Sequence, residues 1–253
     1  MTHLLISAST DEVPADQHTL RQSLALHLLP GVLILAVYLL FYPVVAHFGL
    51  PALDALLLAI LFAALPWQFG HLLYLGYRRN GRFSLRGVVC FQRRLSFGRY
   101  LLLVPLGLLW SFGWYGVFAP ISVWLTETVF GLTPVWFRRM DLTHTNHTVL
   151  LTTLVALLLL NGMLAPIVEE LYFRGYLLPR LAHYGKAAPW INLGLFTIYH
   201  FWQPWLYPTL LIALMSLVFP VWWTRNIRLG IIIHCSLNLI GGASTTALLL
   251  SQH

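Results

Sequence analysis

The chain of 253 residues is 58% hydrophobic and only 9% charged, with a mean hydropathy of +0.75. Soluble domains carry about 25% charged residues, so a water-soluble globular protein is excluded and a polytopic membrane protein is expected. The formal charge of +7 does not indicate a nucleic-acid partner, because apolar runs long enough to span a bilayer separate the arginines; the excess reads as an orientation signal.

The first residues, "MTHLLISASTDEVPADQHTLRQ", are polar and acidic, with no basic region leading into an apolar core, so no cleavable signal peptide is expected. Apolar runs of about 18 or more residues then follow at 24–46, 52–77, 100–124, 148–180, 188–204, 206–223 and 229–250. These make an all-α polytopic transmembrane bundle of about seven spans, within a range of six to eight, in one domain over 1–253. The run from Ala188 is the weakest, because Gln203-Pro204 interrupts it. Pro43, Pro66, Pro105, Pro120, Pro166 and Pro220 fall inside or near span ends, where neighbouring helices must satisfy the freed carbonyls.

The loop "YRRNGRFSLRGVVCFQRRLSFGRY" carries Arg78, Arg79, Arg82, Arg86, Arg93, Arg94 and Arg99. Placing it in the cytoplasm puts the N-terminus, Arg180, Lys186, Arg225 and Arg228 inside as well, and leaves Arg138 and Arg139 outside. The loop is expected to signal orientation and to touch anionic lipid. Tryptophans in "WYG" and "VWW" suit interfacial belts. Cys90 and Cys235 have neither a disulfide framework nor zinc-site neighbours. Asp141, His144 and His147 in "DLTHTNHT" read as a solvated polar loop, and "NHT" fits a glycosylation sequon that is common by chance.

The stretch "NGMLAPIVEELYFRGYLLPRL" places two adjacent glutamates in an apolar run. Each ionised carboxylate costs roughly 2.5–3.5 kcal/mol at a lipid-facing helix centre. Glu170 and Arg174 are four apart and face each other on a helix, so they can form an ion pair. Glu169 is rotated about 100° away and points elsewhere. The next span holds His200 four residues after Phe196, and the last holds His234 and Asn238 four apart. At 1.5 Å per residue these groups lie roughly 8–18 Å from the arginine-loop boundary, close enough in depth to converge on one cavity opening toward the cytoplasmic side.

Such a cavity can activate water. A buried carboxylate can act as general base with a histidine holding the water, and a second histidine with an asparagine can donate to the developing oxyanion. There is no Gly-x-Ser-x-Gly or His-Glu-x-x-His motif.

Glu169-Glu170-x-x-x-Arg174, Phe196-x-x-x-His200 and His234-x-x-x-Asn238, in this order over 161–242, resemble the CPBP intramembrane proteases. That family includes the type II CAAX prenyl endopeptidases and bacteriocin-processing or self-immunity proteins. The resemblance implies a membrane endopeptidase in which Glu169 and His200 activate water, His234 and Asn238 form the oxyanion site, and Glu170 with Arg174 brace them. It implies a membrane-associated peptide or protein substrate; the expected lack of a signal peptide and the compact multi-span chain are compatible with a multi-pass location in a bacterial plasma membrane. No cofactor is expected; the alternative is one divalent metal such as zinc at Glu169, His200 and His234, which Asn238 suits poorly as a ligand and well as an oxyanion donor. The competing functions are a catalytically silent binding or immunity protein and a proton-coupled transporter.

Overall fold

The computed structural model describes residues 16–140, 142 and 145–251. Asp141, His144 and the first fifteen residues, on which the loop and signal-peptide expectations partly rest, lie outside them. The described chain is helical: α1 (Leu20–His47), α2 (Ala52–Asn80), α3 (Phe97–Val129), α4 (147–177), α5 (Ala188–Tyr199), α6 (Pro204–Thr224) and α7 (Ile227–Leu250), with a single turn at Val135–Arg138. Six stretches are long and apolar enough to cross a membrane. One of them, His147–Tyr199, has 53 residues, about 80 Å if straight. It breaks in the 3₁₀ link Leu178–Ala187, where Gly185 takes φ 57° and ψ −125°, and so delivers α4 and α5 as separate helices. The protein is a polytopic helical bundle and an integral membrane protein.

Local sequence sets several helix ends. Thr19 caps α1 with a reciprocal box: its hydroxyl accepts from the Gln22 N–H at 3.2 Å, and its own N–H donates to Gln22 Oε1 at 2.9 Å. Gly81 closes α2 in the left-handed conformation, φ 67°. Asn146, the asparagine of the sequon, caps α4 by accepting from the Val149 N–H at 3.0 Å. Pro66 and Pro166 each follow a stretch of wider i→i+5 turns, Ile60–Ala64 and Leu157–Leu164. A proline ring collides with the carbonyl four residues earlier, and a widened turn relieves that collision without breaking the helix.

The half of α4 that carries the glutamates is the central post of the bundle. Residues 165–181 are buried apart from the half-buried Ile167 and Leu171, and this half contacts α1, α2, α5, α6 and α7. Backbones approach closely around it. A Cβ on Gly31 of α1 would overlap the Tyr199 carbonyl oxygen of α5, and one on Gly230 of α7 would stand 2.6 Å from Glu170 Oε2.

The arginine-rich loop is more than a solvated tether. Val88, Val89, Cys90 and Phe91 are buried, with the Cys90 N–H on the Gly175 carbonyl at 2.8 Å and the Phe91 carbonyl accepting from the Ile227 N–H at 2.7 Å. Arg78, Arg79, Arg82, Arg86, Arg93, Arg94 and Arg99 remain exposed around this plug. Arg180, counted from sequence among the orientation charges, is instead buried. It donates to Asp16 Oδ2 at 3.0 Å and to the Val88 and Tyr176 carbonyls, and it stacks on the Tyr176 ring. At the opposite end, Arg138 and Arg139 both pair with Glu127, at 2.7 and 2.8 Å. Cys90 and Cys235 are free thiols.

Candidate active site

Three helices bring the motif residues together, each for a local reason. On α4, Glu170 and Arg174 are fully buried, with Arg174 Nη1 3.3 Å from Glu170 Oε1. The guanidinium lies over the Phe196 ring of α5, 3.8 Å from its centroid, a desolvated cation–π contact. Among the described residues none of the Arg174 nitrogens has a well-aligned hydrogen-bond acceptor. Charge and the aromatic face therefore hold this arginine.

α5 is a 12-residue helix, about 18 Å long, and stops inside the bundle. His200 closes it with φ −78° and ψ 54°, and its Nδ1 lies 2.8 Å from the Phe196 carbonyl. That carbonyl belongs to the last turn and has no intrahelical partner of its own. A carbonyl only accepts, so Nδ1 carries the proton and the lone pair sits on Nε2. Phe196 thus serves twice, with its ring under Arg174 and its carbonyl fixing the His200 tautomer.

On α7, His234 Nδ1 lies 3.0 Å from Glu170 Oε1, and its Nε2 lies 3.9 Å from Glu169 Oε2. Asn238 Nδ2 donates to the Asn161 carbonyl at 2.8 Å. The reason lies in α4: in an i→i+5 ladder the Asn161 carbonyl would look to the N–H of residue 166, which is a proline. Asn238 satisfies the carbonyl that Pro166 orphans, and its second amide proton remains free for the cavity.

Glu169 is rotated away from the Glu170–Arg174 pair, as helix geometry requires. Its Oε1 accepts from the Tyr199 hydroxyl at 2.9 Å, and that hydroxyl accepts from Gln68 Nε2 at 2.9 Å. Sequence reasoning missed both partners. Tyr199 precedes His200 in "TIYHF", and Gln68 is a lone amide in the apolar "LPWQFGH"; a polar side chain inside an apolar span was the available signal.

Glu169, His200, His234 and Asn238 all line one cavity of about 570 Å³, with Phe196, Tyr199, Asn161 and many apolar side chains. Glu170 and Arg174 lie behind its wall and are absent from the lining. The walls run on to Leu53, Met140 and Thr245, at the end of the bundle opposite the arginine-rich loop. On the loop's side of Glu169, Tyr172, Phe173, Arg174 and Tyr176 are buried, whereas on the other side Asn161 and Ala165 of α4 line the cavity.

The zinc alternative needs Glu169, His200 and His234 to gather around one point. Among the described residues no three His, Cys, Asp or Glu side chains form such a group.

Residues 151–240 match the family model for Rce1-like type II CAAX prenyl endopeptidases. No curated protein and no solved structure matches the chain.

Proposed function

With residues 151–240 belonging to the CPBP intramembrane proteases, the family that takes in the type II CAAX prenyl endopeptidases, we propose that this protein hydrolyses a peptide bond of a membrane-associated substrate by a Glu/His-activated water. The observation that carries the reading is the shared cavity: Glu169, His200, His234 and Asn238, from three helices, line one space. One of its oxygens held, Glu169 keeps Oε2 for a water, and His200 offers the Nε2 lone pair as a second acceptor. The water oxygen attacks the scissile carbonyl carbon and its proton passes to Glu169. Asn238 donates its free amide proton to the oxyanion. His234 gives Nδ1–H to Glu170, and its Nε2 faces the cavity side near Glu169 Oε2. When the C–N bond breaks, Glu169 returns the proton to the leaving amine, giving a carboxylic acid and an amine. Glu170 and Arg174 hold the geometry from behind the cavity wall.

The test uses purified protein in proteoliposomes with membrane-tethered fluorogenic peptides. Wild type should cleave, Glu169→Gln should not while retaining its thermal stability, and chelators should leave the wild-type rate unchanged. Undiminished cleavage by Glu169→Gln would remove the assignment. Proton-gradient-driven flux without cleavage would favour a transporter, and neither activity would favour a silent binding protein.

A further inference from the structure

We propose that Tyr199, itself held by Gln68, is a positioning residue for Glu169: a two-donor chain from α2 through α5 that favours the ionised carboxylate and leaves Oε2 for the cavity. The proposal rests on Glu169 being the water-activating group. Tyr199 and Gln68 are both fully buried, and each link is 2.9 Å long. A carboxylate only accepts, so the Tyr199 proton goes to Glu169 and the hydroxyl oxygen must accept from Gln68. The charge on Glu169 thereby sets the direction of the whole chain, and both donors stabilise that charge. Protonated Glu169 gains far less from them.

Two further observations separate this role from ordinary packing. Gln68 Oε1 is buried and has no hydrogen-bond partner among the described residues. An apolar side chain would avoid that cost, so the amide does not sit there for its own satisfaction; its donor is what the site uses. The Tyr199 ring is also wedged. It stacks on Phe196 at 5.5 Å with 13° between planes and meets Phe173 at 4.9 Å and Trp202 at 5.3 Å. Its hydroxyl therefore holds a fixed position. The other ionisable groups around Glu169 are Glu170 and Arg174 on its own helix, His234 on α7 and His200 on α5, and the chain leaves all four untouched.

The experiment reads the protonation of Glu169 itself, by infrared titration of the purified full-length protein in lipid, with its carboxylic carbonyl band assigned by its loss in Glu169→Gln. In Tyr199→Phe, which keeps the wedged ring, the midpoint should rise by about one to two pH units, the size expected for losing a hydrogen bond to a charged group. Gln68→Leu should move it the same way by less. The acid limb of the peptidase pH–rate profile should shift upward by the same amount, with KM unchanged. A merely structural Tyr199 would lower the rate at every pH and leave both midpoints in place, and that result would overturn the proposal. If even wild type cleaves no peptide, the hydrolase reading fails, while the infrared shift still decides whether Tyr199 and Gln68 control Glu169.

Discussion

Replacing Glu170 by glutamine preserves size, keeps an amide oxygen that can still accept from His234 Nδ1, and removes the negative charge beside Arg174. Both side chains are fully buried and their charged atoms are 3.3 Å apart. The variant leaves a guanidinium with no well-aligned hydrogen bond among the described residues and only the Phe196 ring, 3.8 Å away, directly against it. That ring contact is present before and after the change, so it does not soften the difference. Stranding one member of a buried pair costs about 3–5 kcal/mol, and no cavity cost is added. Removing both charges together, in Glu170→Leu with Arg174→Leu, should recover at least about 2 kcal/mol of that loss, because the desolvation penalty disappears with the second charge. The measurement is reversible unfolding by steric trapping in bicelles, completed as a double-mutant cycle. Glu170→Gln within about 1 kcal/mol of wild type, or a double variant losing the sum of the two singles, would refute the view that this pair holds the site together.

Two further predictions follow from the same geometry. Asn238→Ala should lower kcat by about 10²–10³-fold if the free amide proton serves the oxyanion, and it should also strand the Asn161 carbonyl, costing about 1–3 kcal/mol of stability; steady-state kinetics and unfolding measure the two losses separately. His18, just before α1, is pushed down from 6.5 to about 4 by burial and by the Arg180 charge, with Asp16 opposing and His71 adding to the depression. A folded-state value below the unfolded one means that the docking of residues 16–18 on Arg180 is intact above pH 6.5 and weakens as pH falls toward 4. The hydrogen-exchange protection factor of the His18 amide, which donates to the Arg180 carbonyl at 2.8 Å, should fall over that window once the intrinsic pH dependence of exchange is divided out, and in His18→Gln it should stay level.

The sequence made the charged half of the site readable because helical spacing is a strong constraint in a membrane. Four-residue intervals paired Glu170 with Arg174, Phe196 with His200 and His234 with Asn238, and each interval corresponds to a physical link or a shared face. Tyr199 was hidden by the same rule. Consecutive residues on a continuous helix point about 100° apart, so a helical reading sends Tyr199 and His200 to different surroundings. α5 ends at His200, and the change of backbone direction lets both side chains reach the cavity. The buried plug Val88–Phe91 and the buried Arg180 were masked by the arginines that surround or resemble them, since charge count alone cannot tell a solvated guanidinium from one satisfied by carbonyls.

Two adjacent and chemically identical carboxylates end in different surroundings, and the cause is the register of α4. Glu170 points into a slot that exists because Gly230 has no Cβ: a methyl there would stand 2.6 Å from Oε2 and 2.8 Å from Val221. Glu169, one step around the helix, meets no such slot and turns to the cavity. The register is set upstream, where Pro166 and the widened turns of Leu157–Leu164 leave the Asn161 carbonyl to Asn238. α4 is therefore fastened to α7 at two levels, by Asn161–Asn238 on the cavity side and by Glu170–His234 behind it. Together with the α5 contacts of Arg174 over Phe196 and of the Tyr199 hydroxyl on Glu169, these two links to one partner helix fix which glutamate is buried with a cation and which lines the cavity.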